Sequence, residues 1–74
     1  MNEASNFVEW WATADPLTRS QFRAETGMLP GTLYPIVNGK KGIGVSVGAE
    51  IMKFDPRFTH RFIWPDVDWP EWVA

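Results

Sequence analysis

Leu17–Gly39, read LTRSQFRAETGMLPGTLYPIVNG, lays out a helix, a tight turn at Gly27 and a second short helix closed by Asn38-Gly39. Thr18 reads as an N-cap with Gln21 three residues on, the spacing of a capping box in which hydroxyl and amide each take up an orphan backbone donor. Leu17 before the cap and Phe22 at the fourth helical position are spaced for a hydrophobic staple. A second helix arriving so soon after a glycine turn is the helix-turn-helix arrangement, which presents one helix to a DNA groove.

Working outward, residues 5–14 predict a first helix, with Ser5 as cap and Phe7, Trp10, Trp11 and Ala14 on one stripe. Asp15-Pro16 ends it, because the residue before proline is pushed out of the helical region. A second helix then spans about 19–26 and a third lies within 30–38. Pro35 falls inside that third helix, where a proline is tolerated only if Gly31 or Thr32 is the N-cap and Pro35 belongs to the first turn. The six glycines are confined to positions 27–48, which makes Gly39–Gly44 a loop. Ser46 can cap a fourth helix with Val47, Ile51 and Phe54 on one face. Asp55-Pro56 opens a fifth, about 56–63, with Phe58 and Phe62 inward and Arg57, His60 and Arg61 in solvent. The closing WPDVDWPEWVA, rich in Trp and Pro, reads as an extended arm. The expectation is an all-α chain of five short helices, with a helix-turn-helix domain over 1–63 and an irregular arm over 64–74.

Seventy-four residues make one small domain, and its 45% hydrophobic content with five Trp, five Phe and one Tyr is what could hold it together. Without cysteine there is no disulfide framework or Cys-based zinc site, and one histidine is too few for a His-rich metal site. No apolar run approaches the ~18 residues of a transmembrane helix and the N-terminus does not read as a signal peptide, so the expected setting is the cytoplasm, with no membrane partner. The net charge of −2 is unevenly spread. All seven cations lie between positions 19 and 61 with only three carboxylates, a local +4, while the flanks carry −6. Phosphate affinity follows the local face rather than the total.

The chain resembles the Cro-like regulators of phages and prophages, most closely the YdaS-type branch of the lambda-repressor-like helix-turn-helix proteins. The frame Thr18, Phe22, Gly27, Leu33 and Ile36 carries the first part of the resemblance. Asn38-Gly39-Lys40-Lys41-Gly42-Ile43 is similar to the family's N-G-K-R-x-I-P loop. Thr59 followed by Ile63-Trp64-Pro65-Asp66-Val67-Asp68-Trp69 is similar to its T-R-x-x-L-R-P-D-I-W ending. Together these span about 17–69. The chain departs from the family at Arg23, where a small residue is usual, at Thr26, where a hydrophobe is preferred, at Leu29, where a Ser or Thr cap is preferred, and at Pro35.

The resemblance implies a small repressor that binds operator DNA as a homodimer in a bacterial host cell. Gly31, Thr32, Tyr34 and Pro35 would face base edges; Arg19, Lys40 and Lys41 would meet phosphate; Gln21 and Asn38 complete the DNA-contacting set. Trp64, Trp69 and Trp72 are candidates for a dimer or partner interface, because Trp is enriched in interface hot spots. The alternative is a degenerate helix-turn-helix protein that binds and modulates another protein, a host regulator or a toxin. No enzyme is expected, since no nucleophile, base and orienting group recur at useful spacing. Gly39-Lys40-Lys41-Gly42 lacks the Walker spacing, and Asp66 and Asp68 read as a solvated acidic arm. No cofactor, metal or small-molecule substrate is expected.

Overall fold

The computed structural model describes residues 4–73; residues 1–3 and 74, the outer ends of the two spans expected above, lie outside the described residues. Among the described residues there are five helices and no strand: α1 (Phe7–Thr13), α2 (Pro16–Thr26), α3 (Pro30–Val37), α4 (Val45–Phe54) and α5 (His60–Ile63). The all-α expectation holds. No helix among the described residues is long and apolar enough to cross a membrane.

The caps differ from the sequence reading, each for a local reason. Asn6, not Ser5, caps α1 by accepting from the Glu9 N–H, while the Ser5 N–H turns to the Glu9 carboxylate. Asp15, not Thr18, caps α2: its backbone is extended, Pro16 takes the first helical position, and its carboxylate accepts the Thr18 N–H at 2.8 Å. The extended conformation that stops α1 therefore also starts α2. Thr18 is then a first-turn residue and Leu17 is 70% exposed, so neither the capping box nor the staple to buried Phe22 forms. Gly27 ends α2 in the left-handed region at φ 67°, its N–H bonded to the Arg23 carbonyl.

Gly44, not Ser46, precedes α4, without a side-chain cap. Pro56 and Arg57 lie in a turn rather than a helix, because Asp55 binds both the backbone N–H and the guanidinium of Arg57. Thr59 caps the shorter α5 instead.

Eight buried side chains form the core: Phe7, Trp11, Phe22, Leu33, Ile36, Ile51, Phe58 and Ile63. α1 packs on α3 and α2 on α4. Phe22 is the centre, fully buried with the rings of Phe7, Trp10, Trp11 and Phe54 at 5.1–5.7 Å.

The arm is folded back, not extended. Trp64 lies against Gly48 of α4 and donates its indole N–H to the Ile43 carbonyl at 2.7 Å. Trp69 donates to the Trp64 carbonyl at 3.1 Å. The Arg61 guanidinium holds the carbonyls of Trp69, Pro70 and Val73.

A Cβ on Gly48 would stand 2.3 Å from the Trp64 ring, a rigid side chain tethered at its N–H. Gly48→Ala should therefore destabilise the protein by about 1–3 kcal/mol in urea melts, as overpacking does; an unchanged midpoint would show that Trp64 is not seated there.

The Thr18 backbone N–H, first among its causes, holds the Asp15 carboxyl below the ordinary carboxylate value, and Arg57 does the same for Asp55. A carboxyl depressed in the folded state contributes stability above its unfolded pKa and loses it as pH falls through the folded one. Replacing both Asp15 and Asp55 with Asn should flatten the fall in stability below about pH 4, read by urea midpoints across pH.

Candidate nucleic-acid interface

The outer stripe of α3 is exposed. Pro30, Gly31, Tyr34 and Asn38 face solvent at helical spacing, while Leu33 and Ile36 turn to the core. Tyr34, 43% exposed, stands at the centre of the stripe. Thr32 and Pro35 are half-buried on its flank.

The helix starts earlier than the late N-cap at Gly31 or Thr32 would allow. Leu29 takes the extended conformation demanded before Pro30, and its carbonyl accepts the N–H groups of both Thr32 and Leu33 at 3.0 Å. Pro35 is consequently an interior residue, yet α3 continues through it to Val37. The residue four positions back is Gly31, which is exposed; the carbonyl that Pro35 cannot serve lies at the surface, where water can.

The far end of α3 positions the lysines. Gly39, at φ 76°, donates to the Ile36 carbonyl, and Lys40 donates to the Pro35 carbonyl at 2.9 Å, the paired bonds of a Schellman motif. The Lys41 N–H joins the same Pro35 carbonyl at 3.1 Å. One acceptor thus fixes the main chain of two consecutive lysines, both exposed.

The remaining cations are committed elsewhere. Arg19 donates to the Trp11 and Ala12 carbonyls at 3.0 and 3.3 Å, closing the end of α1, and lies over the Trp11 ring at 5.1 Å. This phosphate-contact candidate is therefore half-buried and held by the chain's own carbonyls through Nε and Nη2. Arg23 lies over the same ring at 5.9 Å, so its bulk at a position where a small residue is usual is absorbed by Trp11. Lys53 pairs with Glu50, Arg57 with Asp55, and Arg61 holds the arm. Among the described residues, Lys40 and Lys41 are the cations without a partner in the chain.

Gln21 is exposed on α2, outside the α3 stripe. Of the three arm tryptophans, Trp64 and Trp69 are half-buried with their N–H groups used internally, whereas Trp72 is 85% exposed. One feature of the site escaped the sequence reading. α3 and α4 begin without side-chain caps, unlike α1, α2 and α5, so the first-turn N–H groups of α4 follow directly on the lysine loop. Ser46, expected as the cap, is instead an exposed first-turn residue there. The glycine at the true cap position was the available signal.

No known protein family, characterised protein or solved structure matches this chain at a significant level.

Pro35→Ala should restore a donor for the Gly31 carbonyl and remove a ring from the helix interior. The loss of unfolded-state restriction opposes this by about 0.4–1 kcal/mol, leaving a net stabilisation of about 1–2 kcal/mol in thermal or urea melts. A destabilised variant would place Pro35 in a role its backbone does not account for.

Proposed function

We propose that the chain binds double-stranded DNA as a small transcriptional regulator of the phage and prophage type, acting in a bacterial cytoplasm. The observation that carries this reading is the distribution of positive charge. The other lysines and arginines have partners in the chain itself, and the two that remain are fixed side by side at the end of the exposed α3. In this reading Lys40 and Lys41 contact phosphate, helped by the uncapped N-terminus of α4, where backbone N–H groups and the helix dipole favour an anion. Tyr34 and Thr32 approach base edges with a hydroxyl or an apolar contact. Neither makes the bidentate contact of an Arg or Asn, so affinity rests mainly on phosphate. Pairing of two copies through the arm, with Trp72 as the exposed anchor, would supply the second half-site.

A specific observation supports a second reading, in which the same face grips another protein. α3 carries no charged residue, and Leu29 (70%), Tyr34 (43%) and Val45 (82%) expose apolar surface at the starts of α3 and α4 and along α3.

Fluorescence anisotropy on several duplexes across salt separates the two. The parent should bind at low salt with weak sequence preference. Changing Lys40 and Lys41 to Ala should weaken binding about equally on every duplex and reduce the slope of log K against log salt by about one per lysine lost. An unchanged slope would remove the loop from the interface, and no binding to any duplex at low salt would leave the protein-binding reading.

A further inference from the structure

Behind the lysine loop lies a cleft of about 440 Å³, open to solvent on one side. Its floor is closed by the buried core residues Phe7, Ile36 and Ile63, and the half-buried Ile43 and Trp64 also line it. Val8 and Val67, 37% and 48% exposed, stand at its mouth. The volume falls within the roughly 300–1,000 Å³ typical of small-molecule sites, and the largely apolar lining matches them too. Trp64 is fixed where it lines the cleft, its indole N–H bonded to the Ile43 carbonyl.

The polar groups define what it can take. Asn6 and Glu9 are occupied with each other and with the Ser5 N–H. Lys41 and Asp66 are exposed at the rim and opposite in sign, and no charged side chain among the described residues is buried. An ion entering the cleft would lose its hydration with nothing inside to replace it. A flat, uncharged molecule would instead lie against the half-buried Trp64 and cover the two exposed valines. The cleft also touches Gly39, Lys41, Gly42 and Ile43, so its occupant presses on the loop that carries both lysines.

We propose that this cleft binds a small uncharged aromatic molecule of one or two rings, and that its occupancy changes the affinity of the adjacent loop for DNA. The second half rests on the DNA-binding reading; the first does not. The probe is 1-naphthol at neutral pH, added to the whole chain while amide and indole N–H resonances are followed by NMR. Shifts should concentrate at Gly42, Ile43 and the Trp64 indole. Val67→Asp and, from the opposite side, Val8→Asp place a carboxylate at the mouth on exposed positions and should each weaken naphthol binding about tenfold with the fold retained. Absent or scattered shifts, or binding indifferent to both variants, would overturn the site.

The duplex titration is then repeated with naphthol at saturation, where Kd should change about fivefold or more. Localised shifts with an unchanged Kd would overturn the coupling. Localised shifts in a protein that binds no duplex at all would remove the DNA reading and leave the aromatic site standing.

Discussion

Phe22 is fully buried and touched by four aromatic rings drawn from α1 and α4. In a chain this short, aliphatic side chains alone could not fill a core that also has to orient five helices. Aromatic rings remove about 150–250 Å² each from water, and their edge-to-face preferences add direction to that burial. Phe54 meets Phe22 at 70° and Trp10 meets Phe58 at 78°, so the rings set angles between elements as well as distances. α1, the end of α4 and the 55–58 turn are placed by this one cluster, and α3 is carried into position through α1.

The same cluster governs the charge pattern. Trp11 turns its outer face to α2, and both arginines of that helix settle on it. Two of the seven cations of the +4 segment thereby lie on Trp11, and Lys40 and Lys41 remain, among the described residues, without a partner in the chain. Burial of an aromatic ring and the placement of two cations are linked in this way. The linkage runs through Arg19, which completes the carbonyl end of a helix that has no basic residue in its own last turn.

Periodicity was enough to identify the inner faces: Phe7 with Trp11, Leu33 with Ile36, and Ile51 were legible because helical spacing and apolar character coincide. Helix starts were harder. Asp15-Pro16 was legible as a stop, but an extended Asp before Pro is equally a start, and only the fold shows both at once. Pro35 argued for a late helix because a sequence does not reveal whether the carbonyl four residues back can reach water; Gly31 at the surface settles that. Arg19 and Trp64 lay beyond reach because their partners are main-chain carbonyls 8 and 21 residues away. The exposed α3 stripe and the lysine pair were legible; that these two are, among the described residues, the lysines and arginines left without a partner was not.

Arg61 grips the arm through carbonyl oxygens alone, at Trp69, Pro70 and Val73. Every residue type supplies a carbonyl, so the tether is indifferent to the side chains it displays. Drift at Glu71 or Trp72 can exchange an aromatic for a charge, or either for a small residue, without loosening the loop that presents it. Arg61 itself has no such latitude, since Lys lacks the planar fork that reaches several acceptors at once. The tip of the arm is therefore held in place whatever side chains stand at positions 71 and 72.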